Sequence, residues 1–404
     1  MPYPPADAST AVLFALIRAL RRDFDVTVLA GVLCERDFEQ ARELEGWCSR
    51  VVPVLAPHAR SVFHRISYKI FYQLQSTLRK RSFRTLYGCP RTLYNAARRL
   101  SHEGFALVIV SHWHLYRMVE LFSREKTVLV THCIDLLVNR EVSLLERNLV
   151  KKIQAVRRWL LERREELDAY QTSRYVWAVT EPDKKTVEAI CRDSCSVKII
   201  PFGVDTDFHA PSGMRRNRDE LIFVGDTRTA VNRDALEYFA HKIYPHLQDI
   251  DGLSITIVGG NLPSELRYFG LQPEVEIVSD VADVRPYLHR ASCLVVPVRF
   301  GGGLAVQILE AMAAELPVVC SGVALVGMPF EPEEELLRAD SPEEYARQIG
   351  RILGDPAFAR RIAEAARQRV RERFGLDSQE RLTLAMVREL IEAPPLQQPK
   401  TTET

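Results

Sequence analysis

Short apolar runs alternate with longer stretches of mixed polarity along nearly the whole chain. In the first half these runs predict strands at 25–29, 50–54, 107–110, 127–130, 175–179 and 197–200. In the second half they predict strands at 221–224, 254–258, 275–277, 294–298 and 318–320. Helical spacing predicts helices at 141–170, 234–241, 342–353, 356–373 and 377–391. Strands that alternate with helices are typical of a parallel α/β architecture.

A change in composition near the middle of the chain indicates a domain boundary. Pro211, Ser212 and Gly213 precede a polar stretch at 215–219, and this interrupts the alternation. A chain of 404 residues is long enough for two domains, each with its own core. We predict a first domain at 1–205, a linker at 206–219 and a second domain at 220–375. A helix at 376–392 is expected to return to the first domain, and the polar, proline-rich tail at 393–404 to be disordered.

The segment 294–320 carries the clearest chemical signal. A buried strand is predicted at 294–298, three glycines follow (Gly301, Gly302 and Gly303), and helical spacing runs over 304–313. Glycines let the backbone approach a phosphate closely, and the N–H groups of a first helical turn point toward it. Glu310 lies two turns into the helix, where its carboxylate can accept hydrogen bonds from ribose hydroxyls. A glycine turn alone also serves to connect a strand to a helix, but the placed glutamate favours a site for a nucleotide-linked ligand.

Composition and cysteine usage indicate a soluble cytoplasmic protein. Hydrophobic residues make up 47% and charged residues 26% of the chain. The sequence contains neither an apolar run of roughly 20 residues, as a membrane span requires, nor an opening that resembles a signal peptide. Of the eight cysteines, only Cys191 and Cys195 lie close together, without ligand-like partners. We therefore expect reduced, structural thiols and no metal site.

The second half of the chain resembles the retaining glycosyltransferases of family 4, also called group 1. The resemblance rests on IIPFGVDTDFHAP (199–211), LIFVGDTRTAVNRDALEYF (221–239), ITIVGG (255–260), VADVRPYLHRASCLVVPVRFGGG (281–303) and ILEAMAAELPVVCSG (308–322). The first half is similar more loosely, through PYPP (2–5), THCIDL (131–136) and AVTEPDK (178–184). This family implies the GT-B fold, an α/β architecture in which two Rossmann-like domains face each other across a cleft. The triglycine form of the turn is similar to a subgroup tied to exopolysaccharide and cell-envelope export.

The resemblance implies transfer of a sugar from a nucleotide diphosphate donor to a glycan or lipid-linked acceptor, with retention at the anomeric carbon. No cofactor is implied, a metal is not strictly required, and the expected role is cell-surface polysaccharide synthesis. Glu310 matches a family glutamate that holds the donor ribose. The complete donor-binding assignment is Gly225, Arg228, Arg299, Gly301, Gly302, Gly303, Leu304 and Glu310.

Arginines and one histidine are assigned roles in the reaction itself. The leaving diphosphate gains negative charge as the bond to the sugar breaks, and an arginine such as Arg299 or Arg228 suits its stabilisation. His132 matches a family histidine that faces the transferring sugar. Because it follows the apolar run at 128–130, it should lie at the carboxyl end of a strand and bond the sugar or polarise the acceptor. The alternative is a histidine that caps local backbone.

Several residues depart from the family pattern. Gly302 replaces the first motif glutamate, Asp226 stands where a basic residue is common, and Leu304, Ala305 and Gln307 are uncharged where the subgroup carries cations. Each charge-assisted bond to a phosphate is worth roughly 1.5–3 kcal/mol. Two alternatives therefore stay open: a non-catalytic relative that binds nucleotide or glycan as a scaffold, and a nucleotide-sugar epimerase of the same fold.

The start of the sequence also differs from the family. In relatives an apolar strand precedes PYPP, whereas this sequence places PYPP at residues 2–5. We therefore expect the first strand of the N-terminal domain to be missing and the edges of its neighbours to be unpaired.

The net charge of +1 is unevenly distributed. Between Glu45 and Glu103 there is no acidic residue, and eleven cations interleave there with aromatic residues. Such basic amphipathic segments bind anionic membranes, so we expect a peripheral position on the inner face of the plasma membrane, with Arg79, Lys80, Arg81 and Arg84 on the acceptor and membrane side. The alternative is an exposed helical face with an aromatic core side. Nucleic acid is not expected as a partner, because no recognition motif accompanies the charge.

Overall fold

A computed structural model describes residues 8–392, apart from gaps at 58–61, 147, 193, 214–215, 260–261, 263–265, 280 and 282. The PYPP segment at 2–5 and the tail predicted at 393–404 lie outside the described residues. The chain divides into two compact units. The first comprises Met1–Asn139, Glu146–Pro201 and Glu380–Thr404, and the second comprises Arg140–Leu145 and Phe202–Gln379.

The first 201 residues alternate strands and helices, and every strand pairing among them is parallel. The strands are β1 (Thr27–Val32), β2 (Arg50–Leu55), β3 (Val108–Ser111), β4 (Thr127–Thr131), β5 (Tyr175–Ala178) and β6 (Ser196–Ile199). The helices are α1 (Ala8–Leu20), α2 (Glu35–Leu44), α3 (Val62–Arg79), α4 (Phe83–Gly88), α5 (Arg91–Leu100), α6 (Asp135–Leu145), α7 (Leu149–Thr172) and α8 (Glu181–Cys191). A 3₁₀ helix at Trp113–Leu121 follows β3.

These strands form two sheets rather than one. One sheet has the order β1-β2 and the other the order β3-β4-β5-β6. Among the described residues, β1 and β3 each have a strand partner on one side only. Strand β4 is buried along its whole length between β3 and β5, and the 3₁₀ helix packs against it.

The second unit contains a single parallel sheet with the order β12-β11-β10-β7-β8-β9. Its strands are β7 (Glu220–Val224), β8 (Ser254–Val258), β9 (Val275–Val278), β10 (Cys293–Val296), β11 (Val318–Cys320) and β12 (Leu337–Arg338). The helices that follow residue 201 are α9 (Ala230–Tyr238), α10 (Arg285–Arg290), α11 (Val306–Ala313), α12 (Pro342–Gly354), α13 (Pro356–Phe374) and α14 (Leu376–Glu392). The strand order reverses between β7 and β10, which makes this pair the topological switch point of the sheet.

Two sequence-based expectations are wrong. The single helix predicted at 141–170 is two helices, α6 and α7, because Asn148 begins a new helix by accepting a hydrogen bond from the Lys151 N–H at 3.1 Å. The expectation of reduced thiols fails at Cys191 and Cys195, which form a disulfide between the end of α8 and the start of β6. Within the described part of the chain, none of the helices combines the length and apolar character of a membrane span.

Candidate functional site

The switch point of the second sheet brings two glycine-containing loops to one edge. Gly225 directly follows β7, and the triglycine elbow, Gly301 to Gly303, comes after β10. Strands β7 and β10 are parallel neighbours, with Ile222 opposite Leu294, so their carboxyl ends point the same way. A Cβ atom placed on Gly301 would lie 3.3 Å from Val231 Cγ1, which shows that the elbow packs closely against α9, the helix that follows the β7 loop. In open α/β sheets, ligands bind at this position.

The backbone of the elbow requires glycine. Gly301 has a φ of +143° and Gly303 a φ of +80°, and residues with a Cβ rarely adopt either conformation. Helix α11 begins at Val306, two residues later than predicted. Its N-cap residue is Ala305, whose methyl side chain cannot accept a hydrogen bond. The first turn of α11 has no side-chain cap, although the Val306 and Ile308 N–H groups donate to the carbonyls of Leu304 and Ala305. Helix starts of this kind can bind anions.

Glu310 lies in the second turn of α11 and is 26% exposed. Desolvation raises the pKa of its carboxyl to about 7. The Nε2 atom of His209 lies 3.9 Å from Glu310 Oε1. Burial, with a further contribution from Arg285, lowers the pKa of His209 to about 4, so His209 is neutral near pH 7. Sequence reasoning missed His209, although it lies in the recognised segment 199–211.

The two arginines assigned to the donor phosphates are both paired with carboxylates. Arg299 makes a two-bond contact with Asp234 on α9, including Nε to Oδ2 at 2.9 Å, and lies over the ring of Tyr238. Arg228 is 81% exposed and bonds Asp226 two residues away, with Nε to Oδ1 at 2.9 Å. Each positive charge is thus locally balanced by a carboxylate.

His132 lies at the carboxyl end of β4 in the first unit, as its position in the sequence predicted. Its Nε2 is 3.0 Å from the Ser111 hydroxyl, which ends the neighbouring strand β3. The His112 and His132 rings lie 4.5 Å apart, and His112 stacks on His114. Desolvation, assisted by nearby cationic groups, lowers the pKa of His112 to about 3 and of His114 to about 4. These two imidazoles are therefore neutral near pH 7.

An ion pair supports this histidine cluster. Arg84 Nη1 lies 2.6 Å from Asp135 Oδ2, and the indole N–H of Trp113 donates to the same oxygen at 2.7 Å. Burial by itself would raise the pKa of Asp135, but Arg84 and Trp113 together lower it below its ordinary value. Sequence reasoning missed Asp135 and Trp113, although Asp135 lies in the recognised segment THCIDL (131–136).

The four cations predicted for the acceptor and membrane side differ in their ion pairing. Arg79 and Lys80 are exposed at the end of α3. Arg81 Nε lies 3.8 Å from Glu165 Oε1 on α7. Arg84 is 42% exposed and belongs to the His132 cluster through its pair with Asp135.

Comparison with known sequences gives a family match within the second unit. Residues 218–355 match the family described as "Glycosyl transferases group 1". The chain is also similar to the MMP alpha-(1->4)-mannosyltransferase of Mycolicibacterium hassiacum, with 26% identity over 203 residues. That match covers 48% of this chain and 48% of the mannosyltransferase, about half the length of the relative.

Comparison with solved structures extends over nearly the whole chain. Sucrose-phosphate synthase from Thermosynechococcus elongatus aligns with a TM-score of 0.66 at 17% identity, covering 96% of this chain and 94% of that one. Anabaena HepE, solved with UDP and glucose, aligns with a TM-score of 0.67 at 14% identity, covering 95% and 96%. At these identities the likeness shows the fold. The chain therefore has the GT-B fold, and its residues 218–355 are similar to the group 1 glycosyltransferases.

Proposed function

We propose that this chain is a retaining glycosyltransferase, which moves a sugar from a nucleotide diphosphate donor to a glycan or lipid-linked acceptor in cell-surface polysaccharide synthesis. The observation that carries the proposal is the arrangement of the triglycine elbow, the uncapped start of α11 and Glu310 at the switch point of the second sheet. The elbow and helix start offer N–H donors to a diphosphate, and Glu310 offers a carboxylate to a ribose. The match to group 1 glycosyltransferases and the UDP bound in Anabaena HepE support a nucleotide sugar as donor.

Backbone dipoles rather than arginine charges stabilise the leaving group in this proposal. As the bond to the anomeric carbon breaks, negative charge grows on the diphosphate, and donors fixed in advance stabilise that state more than the ground state. Arg299 and Arg228 contribute less than free arginines would, because Asp234 and Asp226 balance them. This arrangement accounts for a donor site in a segment with few cations.

His132 is the proposed catalytic residue of the first unit. Ser111 restricts the orientation of its ring, and Asp135, Arg84 and Trp113 hold the segment that follows it. We assign to His132 a hydrogen bond to the transferring sugar or the acceptor hydroxyl. We also propose that transfer needs neither an organic cofactor nor a metal, so that activity should persist in a chelator such as EDTA.

A donor screen tests the function. The full-length protein is incubated with uridine and guanosine diphosphate sugars and an acceptor glycan, and released nucleotide diphosphate is measured. Release that depends on the acceptor, with an unchanged anomeric configuration in the product, is the expected result. Absence of binding at millimolar nucleotide by calorimetric titration would overturn the proposal. Binding without turnover would favour the scaffold, and conversion of the donor without an acceptor would favour the epimerase.

We further propose that the acceptor side of the protein binds the surface of an anionic membrane. Helix α3 carries an exposed apolar stripe at intervals of four residues, Ile66, Ile70, Leu74 and Leu78, and has no acidic residue. Leu78 is 79% exposed. Helix α7 adds the exposed apolar residues Leu149, Val150, Ile153 and Leu160. The two helices meet where Arg157 Nη2 donates to Thr77 Oγ1 at 2.8 Å.

Exposed cations accompany these apolar residues, and this combination fits an anionic bilayer surface better than a neutral one. Lysine or arginine side chains are exposed at Lys69, Arg79, Lys80, Lys151, Arg157, Arg158, Arg163 and Arg164. Each basic residue near an anionic surface contributes roughly 1 kcal/mol of attraction. Apolar side chains that enter the headgroup region add to this attraction. Such a surface would place the protein on the inner face of the plasma membrane.

Vesicle co-sedimentation tests this part of the proposal. Vesicles that contain phosphatidylglycerol should bind the protein, vesicles of phosphatidylcholine alone should bind it weakly, and high salt should release it. Combined Ile70→Ser, Leu74→Ser and Leu78→Ser substitutions should reduce binding about tenfold or more. Leu271→Ser is the matched control, because Leu271 is 82% exposed but lies in the second unit. Equal binding to both kinds of vesicle would contradict the proposal.

A further inference from the structure

Glu166, on α7, accepts three hydrogen bonds, two from the segment that carries His132 and one from Tyr170 on α7 itself. Its Oε1 accepts from the Asp135 N–H at 3.0 Å and from the Tyr170 hydroxyl at 2.7 Å. Its Oε2 accepts from the Leu136 N–H at 2.6 Å. Asp135 and Leu136 open α6, so their N–H groups have no acceptor within that helix. A side chain from another helix therefore supplies the cap.

Tyr170 extends this contact to the other side of His132. Its hydroxyl lies 2.8 Å from Thr131 Oγ1, and Thr131 Oγ1 donates to the carbonyl of Cys133 at 3.0 Å. Both Tyr170 and Glu166 are completely buried. The residues immediately before His132 and those three and four positions after it are thus tied to α7 in a site without solvent to replace the bonds.

The same face of α7 makes two more contacts with this part of the chain. Trp159 donates its indole N–H to the Leu136 carbonyl at 2.9 Å, and Glu162 Oε2 accepts from the Asn139 side-chain amide at 2.7 Å. Positions 159, 162, 166 and 170 follow intervals of three and four residues, so they share one face of the helix. Buried glutamates on a helix are rare unless they are paired, and here they are paired with one short segment.

We propose that Glu166 is a positioning residue for the proposed transferase reaction: it fixes the Thr131–Leu136 segment and thereby the place of the His132 imidazole. This inference rests on the proposed function for its link to catalysis. Glu166 itself contacts neither His132 nor substrate in this scheme. Loss of its bonds leaves two partly buried N–H groups unsatisfied, and the start of α6 shifts or opens to reach water.

A pair of adjacent glutamates gives a matched experiment. Glu165 lies one position before Glu166 and is also buried, but it accepts hydrogen bonds from Thr85 Oγ1 at 2.6 Å and the Ser82 N–H at 3.3 Å, at the start of α4. Glu166→Ala should lower kcat about tenfold or more and leave the affinity for nucleotide diphosphate within about twofold of the wild-type value. Glu166→Gln, which keeps an acceptor oxygen and the shape of the side chain, should restore most of the activity.

Amide hydrogen exchange separates positioning from general loss of stability and does not require turnover. In Glu166→Ala, exchange at Asp135 and Leu136 should speed up, whereas in the control Glu165→Ala these amides should keep their wild-type rates. Tyr170→Phe should also speed up exchange at Asp135 and Leu136, but less than Glu166→Ala does. Unchanged exchange at Asp135 and Leu136 in Glu166→Ala, or equal losses of kcat in the two alanine variants, would overturn the inference. If the wild-type protein transfers no sugar, the proposed function fails, while the exchange measurement still decides the positioning role.

Discussion

His209 Nε2 lies 3.9 Å from Glu310 Oε1, which places a buried neutral imidazole beside the carboxylate that we assign to the donor ribose. The two residues come from the loop after β6 and the second turn of α11. Because desolvation raises the Glu310 pKa to about 7, this carboxyl changes its protonation state close to neutral pH. A ribose whose hydroxyls donate to it favours the ionised form.

Replacing Glu310 tests the ribose role directly. Glu310→Ala should weaken the binding of UDP or GDP about tenfold or more, since it removes a charged acceptor from a desolvated site. The nucleotide affinity of Glu310→Gln should lie between those of the wild type and Glu310→Ala, because one acceptor oxygen remains. The measurement is calorimetric titration, with Glu343→Ala, at an exposed position near the start of α12, as the control. An unchanged nucleotide affinity in Glu310→Ala would remove the assigned role.

Because Arg299 and Asp234 form an ion pair, we expect substitutions of the two residues to change the affinity for a nucleotide diphosphate in opposite directions. Asp234→Asn should free the Arg299 charge and strengthen the binding of a nucleotide diphosphate, up to about tenfold, because one more charge-assisted bond becomes available. Arg299→Ala should weaken the same binding. The uncharged nucleoside should bind equally to both variants, which makes it the control ligand. If Asp234→Asn weakens diphosphate binding instead, the carboxylate holds Arg299 in place rather than competing for it.

Stability should fall as the pH rises above neutrality. Buried carboxyls with raised pKa values keep their protons in the folded state, whereas the unfolded chain releases them near its ordinary value of 4.5. The resulting stability is complete below that value and is lost as the pH rises through the folded pKa, about 7 for Glu162 and Glu310 and about 8 for Glu166. Each group contributes a slope of at most about 1.4 kcal/mol per pH unit.

Buried histidines act in a different pH range and with the opposite sign. His112, His114 and His209 have lowered pKa values, so the stability that they contribute is lost as the pH falls from 6.5 toward about 4. Between pH 7 and 8 only the carboxyl effect remains among these six groups. The free energy of unfolding, measured with urea, should therefore decline from pH 7 to 8, and this decline should be smaller in Glu166→Gln. A wild-type stability that rises from pH 7 to 8 would contradict the prediction.

Arg216 should contribute strongly to the stability of the second unit. Its Nη1 donates to the carbonyls of Leu288 and Ala291, both at 2.8 Å, at the end of α10. Its Nη2 donates to the carbonyls that follow α11, Ala314 at 2.7 Å and Glu315 at 2.9 Å. One guanidinium thus satisfies the terminal carbonyls of two helices.

Lysine cannot reproduce this two-sided geometry, because its ammonium is a point charge without a planar fork. Arg216→Lys should lower the free energy of unfolding by about 2–4 kcal/mol. Urea denaturation followed by circular dichroism measures the change. Arg218→Lys, at an exposed turn position two residues away, is the control and should leave the stability unaltered. Equal stability of Arg216→Lys and the wild type would show that water or other donors can replace the fork.

The elements of secondary structure were largely predictable, because a buried parallel strand requires a run of apolar residues that is visible in the sequence. Strand β8 is an example, with identical predicted and observed bounds at Ser254–Val258. Strand β12 escaped detection, since its two residues form no run. The break between α6 and α7 escaped because charged helical spacing continues through it, and a capping residue, Asn148, decides where the second helix starts.

By itself the sequence determined the glycine elbow, the position of Glu310 on the following helix and the placement of His132 after a buried strand. These are local features, set by φ angles that only glycine adopts readily and by apolar periodicity. Only the tertiary structure decided which charges are balanced and which carboxylates are buried. Asp234 pairs with Arg299 from 65 positions away, and Glu166 caps α6 across 30. Such pairings depend on how helices pack onto a sheet, and the spacing of residues along the chain does not predict that packing.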